Sequence, residues 1–237
     1  MLNINGLTKK YGDTYVFKDL STSFNDNGVT LIVGLNGSGK TTFLNAINRM
    51  IEVEHGDIFI DGISSQSVEY KRAITYIPSD FYLPDYMTGR EFCNFTFSVY
   101  KKFNHSMFDL LLHLYDFEDS IDHLIESYSF GMKKKLQIIA SFSLCVKYIF
   151  ADELISGLDL ETQLLTNTLI DFLKNERKII LVTHSLDAMN RYTEDIRILD
   201  AGKLKIVSSR NEIEEYILKT GVVDDKITSI QKYFQDC

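Results

Sequence analysis

This chain of 237 residues has no long apolar run. Its most apolar stretch, residues 136–151, is interrupted by Gln137 and Lys147. That stretch is too short and too mixed to cross a bilayer, which takes about 20 apolar residues. The start, Met-Leu-Asn-Ile-Asn-Gly, lacks the basic and apolar regions of a signal peptide. We therefore expect any attachment to a membrane to depend on a partner chain.

Cysteine and proline are scarce. The three cysteines, Cys93, Cys145 and Cys237, are odd in number and far apart, which excludes a disulfide framework and a patterned metal site. The simplest interpretation is a protein of the reducing cytoplasm. With only Pro78 and Pro84 and no low-complexity linker, we expect one continuous domain over residues 1–237 with an inserted subdomain.

Basic residues are outnumbered by acidic ones. Lysine and arginine total 25 against 33 aspartates and glutamates, so the formal net charge is −8. Nucleic-acid-binding domains are usually basic, so we expect no nucleic-acid partner.

A phosphate-binding loop is the strongest motif present. Residues 34–41 read Gly-Leu-Asn-Gly-Ser-Gly-Lys-Thr, after the apolar run 29–33 and before a helical pattern. Glycines let a backbone aim its N–H groups at phosphate oxygens, and strand–loop–helix order places phosphate at a helix N-terminus. Lysine supplies charge to the terminal phosphates, and the threonine hydroxyl is a ligand for Mg²⁺. The predicted nucleotide-binding residues here are Gly34, Asn36, Gly37, Ser38, Gly39, Lys40, Thr41 and Thr42.

Two carboxylates follow a second apolar strand. Residues 148–151 lead into Asp152 and Glu153, at the strand end where α/β sheets hold ligands. We predict that Asp152 holds the Mg²⁺ shell and that Glu153 polarises the attacking water. A solvated acidic turn is the alternative. His184 follows strand 178–182 and could contact the γ-phosphate, although a histidine after a strand is also a common structural feature.

A third candidate is the start of a helix after Tyr128. Ser129 is suited to cap this helix, whose positive dipole end would favour an anion. The basic run Lys133 to Lys135 is interpreted as a solvated face.

Hydrophobic periodicity outlines the remaining fold. It predicts half-buried strands, hairpins, a central helical region and a helical tail, over residues 2–8, 15–24, 55–62, 73–77, 89–144, 148–151, 178–182, 196–206 and 210–237.

The order and spacing of these motifs resemble the ATP-binding subunit of ABC transporters, over residues 2–208. Residues 34–41 match the family's Walker A motif, residues 149–153 its Walker B motif with the catalytic glutamate, and His184 its switch histidine. Further matches are a variant signature (Ser129, Phe130, Gly131, Met132), the D-loop (Ser156, Gly157, Leu158, Asp159) and the adenine-stacking aromatic Tyr11 with Val16 beside it.

The resemblance implies an α/β fold, a P-loop NTPase of ABC type. A mixed central sheet would carry an N-terminal antiparallel β subdomain and an inserted helical subdomain at about 79–147. It also implies an ATPase that uses ATP and Mg²⁺, in which two subunits pair head to tail and each ATP lies between one Walker A and the other's signature.

In such systems a separate transmembrane permease binds the ATPase, which is peripheral on the cytoplasmic face of the membrane. We expect it to dock near residues 79–91, where the apolar cluster includes Phe81, Tyr82, Leu83, Pro84, Tyr86 and Met87. Filling the core of the helical subdomain is the alternative role for this cluster.

The Ser-X-Gly-Met-Lys signature and the lack of a long regulatory C-terminal domain resemble exporters. An importer ATPase is the second candidate, and a soluble ABC ATPase acting as a scaffold or assembly factor is the alternative from another class. The transported substrate and the choice between homodimer and heterodimer stay open.

The chain departs from the family pattern at several positions. Phe130 replaces a glycine, Met132 a glutamine and Leu154 a proline; we expect these changes to be tolerated, since Ser129 and Gly131 keep the phosphate-facing chemistry. Ser79 stands where the family has a glutamine that reaches Mg²⁺. Serine is shorter, so we predict a contact to the metal through water; insertion of Asp80, or no contact, are the alternatives.

Overall fold

The computed structural model describes residues 1–207, 210–219 and 232–233. Its strands are β1 Leu2–Tyr11, β2 Thr14–Phe24, β3 Gly28–Val33, β4 His55–Ile60, β5 Ile63–Ser64, β6 Ile74–Ile77, β7 Tyr148–Asp152, β8 Lys178–Val182, β9 Ile196–Asp200 and β10 Lys203–Val207. Its α-helices are α1 Lys40–Ile47, α2 Val68–Ala73, α3 Gly89–Tyr100, α4 His105–Leu114, α5 Phe130–Phe142, α6 Leu160–Leu173, α7 Leu186–Arg191 and α8 Arg210–Lys219.

The central sheet has the strand order β10-β9-β3-β8-β7-β6. Its strands are parallel except β10, which runs antiparallel to β9. Every residue of β7 and β8 is buried, as expected for parallel strands covered on both faces. The register places Ile32 of β3 and Asp152 of β7 on either side of Val182 of β8. The phosphate loop and the two carboxylates therefore emerge at the same edge, and the predicted mixed sheet is confirmed.

A second, antiparallel sheet has the order β2-β1-β4-β5. Its apolar side chains join α1 and one face of the central sheet in a single core. Phe17 of β2 meets Phe43 of α1 edge-on, with ring centroids 6.3 Å apart. This packing fixes the N-terminal hairpin beside the helix that follows the phosphate loop.

The helical region predicted at 89–144 consists of α3, α4 and α5. Each helix begins at a side chain that accepts a backbone N–H, and the caps are Thr88, Asn104 and Ser129. Thr88 and Glu91 form a complete capping box. The other face of the central sheet and these helices share one core.

The predicted elements differ from the structure before β6, and part of the predicted tail lies outside the described residues. Residues 68–73 form α2, which the sequence analysis missed, and the strand predicted from Ala73 begins at Ile74. The tail predicted over 210–237 includes α8, while residues 220–231 and 234–237 lie outside the described part. Within the described residues, every helix falls short of the length and apolar character that a bilayer span requires.

The interpretation of Lys133 to Lys135 as a solvated face is wrong. Lys134 is 1% exposed and donates to the carbonyl of Pro78 at 3.3 Å. Helix α5 packs against β6 and against α3 and α4, so its lysine stems lie along apolar surface while their amines reach oxygen atoms. The neighbouring amines of Lys133 and Lys135 reach Asp85 and the carbonyl of Tyr115.

Candidate nucleotide-binding site

Neighbouring atoms leave no room for a side chain at two glycines of the phosphate loop. A Cβ on Gly34 would lie 2.7 Å from the carbonyl oxygen of Leu199, and one on Gly39 would lie 2.4 Å from Val16 Cγ1. Gly39 also has a φ of 96°, a left-handed conformation that favours glycine. Gly39 precedes α1, which has no side-chain cap. The start of α1 therefore meets a loop whose backbone is free to approach an anion.

The side chains of the loop suit a bound phosphate. Lys40 is 7% exposed, and its Nζ donates to the carbonyls of Gly34 and Leu35, both at 2.9 Å. Burial lowers the pKa of Lys40, while Asp152 and Glu153 oppose that shift. The buried hydroxyl of Ser38 has no hydrogen-bond partner. A phosphate oxygen would accept from this hydroxyl and from the lysine, so these residues fit the group that the sequence predicts.

Thr41 and Asp152 lie together at the end of the loop. Thr41 Oγ1 donates to Asp152 Oδ2 at 2.7 Å, and Asp152 is 3% exposed. Hydroxyl and carboxylate oxygens are ligands that Mg²⁺ accepts while keeping several waters and phosphate oxygens. In the described ranges, no cluster of three or more histidine, cysteine, aspartate or glutamate residues could hold a metal. The oxygens of Thr41 and Asp152 would suit Mg²⁺ because this ion usually takes one or two protein oxygens and completes its shell with water and substrate phosphates.

Glu153 is held in an unusual backbone conformation beside His184. Its φ is 51°, in the left-handed region that costs a non-glycine residue roughly 1–3 kcal/mol. Its N–H donates to the carbonyl of Val182 at 2.9 Å, and its Oε1 accepts the backbone N–H of His184 at 3.1 Å. His184 Nε2 lies 3.9 Å from the same Oε1. The adjacent strands β7 and β8 thus bring both predicted catalytic residues together.

The electrostatics of Glu153 suit a general base. Burial raises the pKa of its carboxyl and the nearby Asp152 raises it further, while His184 opposes the shift. A carboxylate with a raised pKa accepts a proton more readily near neutral pH than an exposed one does. The arrangement can therefore activate a water molecule placed beside a terminal phosphate.

Tyr11 and Val16 lie near the turn of the N-terminal hairpin. Tyr11 pairs with Thr14 across the hairpin, and Val16 lies in a β-bulge between Tyr15, which pairs with Lys10, and Phe17, which pairs with Lys9. Val16 contacts the loop at Gly39, and Tyr11 is 56% exposed with Lys9 Nζ 5.0 Å from its ring centroid. Val16 therefore lies beside the phosphate loop, and stacking of adenine on the exposed ring of Tyr11 stays a prediction.

The signature variant contacts the D-loop within one chain. Ser129 Oγ accepts the N–H of Met132 at 3.3 Å, and the ring of Phe130 lies 4.8 Å from that of Phe81. A Cβ on Gly157 of the D-loop would lie 2.3 Å from the ring of Phe130. The sequence analysis did not anticipate this contact, because it joins residues that are far apart in the chain.

The remaining signature and D-loop residues frame two helix starts. Gly131 has open space around it, and Phe130 is 55% exposed. Asp159 caps α6 by accepting the N–H of Thr162 at 2.8 Å, while Leu158 is buried. In the described part of the chain, no hydrogen bond or ion pair joins residues 129–132 to residues 34–41. Because Ser129 and Phe130 are both exposed, the positive end of α5 lies at the surface.

Ser79 lies in the segment that connects β6 to α3, where its role in metal binding stays a prediction. The residue is partly exposed and Asp80 is exposed. The main chain of this segment is contacted from α5, by Lys134 at Pro78 and by Gln137 at Asp80.

An open groove of about 550 Å³ lies next to the same segment. From the predicted docking segment it includes Tyr82, which is 71% exposed, and Leu83. Phe81 instead packs on Phe130, and Met87 packs against the core. The sequence analysis missed the rest of the lining, which comes from the end of α1, from α2 and from α3 and includes Arg49, Met50, Val68, Lys71, Arg72, Phe92 and Val99. The exposed aromatic and apolar residues of α3 were the available signal.

Comparison with known proteins shows the family to which the chain belongs. The ABC transporter family model matches residues 17–156. The ATP-binding protein YtrB of Bacillus subtilis is 26% identical over 228 residues, which are 95% of this chain and 77% of YtrB. The energy-coupling factor transporter ATP-binding protein EcfA1 of Thermotoga maritima is 29% identical over 199 residues, 80% of this chain and 74% of that protein.

Solved structures agree with this assignment. The structure described as an ATP-binding subunit of an ABC transporter superposes with a TM-score of 0.78 at 25% identity, covering 98% of this chain and 99% of that one. The fold also matches the ATP-binding cassette MJ0796, solved as a dimer in a post-hydrolysis state with ADP and Pi, at a TM-score of 0.76 and 22% identity over 86% of this chain and 97% of that one. The phosphate loop, the paired carboxylates and these similarities lead to one conclusion: the chain belongs to the ABC transporter family, as an ATP-binding subunit that hydrolyses ATP.

Proposed function

We propose that two copies of this subunit close around two Mg²⁺-bound ATP molecules and power export by a separate membrane-spanning chain. The observation that carries the proposal is the position of the groove. Its lining includes Tyr76 of β6 and Pro78, which follows that strand. Strand β6 pairs with β7, the strand that ends at the catalytic carboxylates. A partner in the groove would therefore lie one strand away from the site of hydrolysis.

Pairing of two copies would complete a site that one copy leaves open. Residues 34–41 supply the phosphate loop, while Ser129 and the start of α5 present N–H donors and a positive dipole end at the surface. The dimeric form of MJ0796 supports this arrangement by analogy of fold. In the proposed dimer each α5 start faces the ATP on the other copy, and the predicted residues Thr41 and Asp152 hold Mg²⁺. ATP then stabilises the closed dimer, and its hydrolysis favours opening.

The groove has the chemistry of a surface for a partner helix. Tyr82, Phe92 and Val99 provide apolar and aromatic area in its lining. Arg49 and Arg72 add positive charge to the same lining. Aromatic residues and arginine are enriched in interface cores. We infer that the occupant is a short amphipathic helix of the membrane chain, with apolar residues toward the groove and a carboxylate toward these arginines.

The direction of transport rests on the signature. The sequence Ser-Phe-Gly-Met-Lys at residues 129–133 resembles the exporter form, and this is the basis for proposing export. Similarity to EcfA1 supports a transporter of the energy-coupling-factor type as the second candidate.

Site-directed cross-linking tests the docking surface. In a chain with the exposed Cys145 changed to serine, and Cys237 changed likewise, a single Tyr82→Cys should form an adduct with a membrane chain, because Tyr82 is exposed in the groove. A cysteine at Phe172, which is equally exposed on α6 outside the groove lining, is the matched control and should form none. Adducts from Phe172 alone would place the partner elsewhere, and equal labelling at both would show no specific docking.

A further inference from the structure

Lys134 is a buried amine with an unusual environment. It is 1% exposed, and its hydrogen-bond acceptor is the carbonyl of Pro78 at 3.3 Å, with no carboxylate within ion-pair distance among the described residues. Asp152, Glu153 and Asp80 act on it electrostatically at longer range. Burial lowers the pKa of Lys134 to about 8, against the opposing effect of those carboxylates.

Burying this amine lowers the stability of the folded protein. A buried amine without a directly paired carboxylate loses hydration that one carbonyl replaces only in part. A methionine of similar length would fill the same space without that cost. The stability of the fold therefore gives no reason for a lysine at position 134. The position of Lys134 near the catalytic carboxylates does give one.

Lys134 lies between the two parts of the molecule that the proposed function connects. On one side are the carboxylates at the end of β7. On the other is the segment 78–80, which leads from β6 into the groove. Gln137, one turn further along α5, is 6% exposed, lines the groove and directs its Nε2 to the carbonyl of Asp80 at 3.5 Å. Both side chains thus contact the main chain of the same short segment.

We propose that Lys134 is a positioning residue for ATP hydrolysis, which holds the main chain of residues 78–80 against the catalytic carboxylates. Its contact with the Pro78 carbonyl sets where Ser79, the next residue, lies relative to Asp152. Gln137 holds the same segment at its groove end. This inference goes beyond the proposed docking, and only its extension to a partner in the groove rests on that docking.

The two contacts from α5, of Lys134 with Pro78 and of Gln137 with Asp80, would also allow a serine at position 79. A short side chain cannot link the metal site to the groove by its own reach. Main-chain contacts from α5 provide that link without any side chain at residue 79. A helix that displaced residues 80–83 in the groove would pull on the Pro78 carbonyl, and so move the amine away from the carboxylates.

The test compares Lys134→Met with Lys203→Met. Both variants replace one lysine by methionine, but Lys203 is exposed on β10, outside the signature, the groove and the catalytic site. We expect Lys134→Met to lower kcat about tenfold, the scale of one charge-assisted hydrogen bond, while the ATP dissociation constant changes less than twofold. Amide exchange in residues 79–83 should become faster. Lys203→Met should keep kcat within twofold and leave that exchange unchanged.

A thermal unfolding measurement separates positioning from stability. Because the methionine removes a buried charge, the Tm of Lys134→Met should equal or exceed that of the unmodified protein. Lys134→Arg, which keeps a charged donor, should recover part of kcat. Unchanged kcat and exchange in Lys134→Met, or a kcat loss explained by a lower Tm, would overturn the proposal. Failure of the docking proposal would appear instead as absent Tyr82 adducts, with these measurements unaffected.

Discussion

Replacing Glu153 by glutamine should slow ATP hydrolysis by about 10² to 10⁴, the usual contribution of a general base. Glutamine keeps the size of the side chain and an oxygen that accepts the N–H of His184, now 3.1 Å from Glu153 Oε1. It removes the carboxylate that takes the proton from water. Phosphate release at saturating ATP and Mg²⁺ measures the effect, and calorimetry should show ATP binding within a few-fold of that of the unmodified protein.

The same variant should accumulate as an ATP-bound dimer, because binding proceeds and hydrolysis does not. Light scattering with and without ATP measures this. Adding Ser129→Arg to Glu153→Gln is the matched control: it should abolish the dimer, since in the proposed dimer α5 faces the other copy's nucleotide, while the monomer still binds ATP. Hydrolysis at the normal rate in Glu153→Gln would mean that another group activates the water. Loss of ATP affinity in the Ser129→Arg monomer would contradict the arrangement across two copies.

Lys40→Ala should weaken ATP binding by about one to two orders of magnitude. A hydrogen bond to a charged group contributes about 1.5–3 kcal/mol, and every 1.4 kcal/mol is a factor of ten in affinity. Lys40 is buried beside the loop, so bulk water does not readily substitute for its amine. Calorimetry with Mg²⁺ present measures the affinity.

Lys203→Ala provides the control for this loss, because Lys203 is exposed on β10 and carries the same charge. Its ATP affinity should stay within twofold of that of the unmodified protein, as surface charges contribute little. Equal affinity in Lys40→Ala and the unmodified protein would contradict the assignment of residues 34–41 as the phosphate site.

Features that depend on short stretches of sequence were predictable. The phosphate loop is one continuous segment, and its strand and helix follow from apolar patterns on either side. Asp152 and His184 were placed correctly relative to their strands because parallel strands end at the same edge of a sheet. Ser129 as a helix cap also follows from local chemistry, and the structure confirms it.

Features that depend on how elements pack were not predictable. The three lysines of α5 have the pattern of a solvated face, yet the helix is covered on more than one side, so burial is decided by α3, α4 and β6. The contact of Phe130 with Gly157 joins two segments by tertiary packing alone. The groove combines the ends of α1 and α2 with α3, and no single stretch of sequence contains it.

Backbone strain is a further limit on prediction from sequence. Glutamate has no preference for a φ of 51°, yet Glu153 adopts it. The neighbouring strand fixes this conformation through the carbonyl of Val182, which accepts the Glu153 N–H. The carboxylate is therefore aimed by β8, although the sequence pattern assigns it only to the end of β7.

Co-purification from membranes tests the central claim most directly. The tagged chain, extracted in mild detergent, should retain a membrane chain with about six apolar segments of roughly 20 residues each. That complex should hydrolyse ATP, and the same complex carrying Glu153→Gln should assemble but not hydrolyse it. If the active chain is recovered with no membrane protein, and a soluble partner binds the groove instead, the account of this subunit as the motor of a transporter is contradicted.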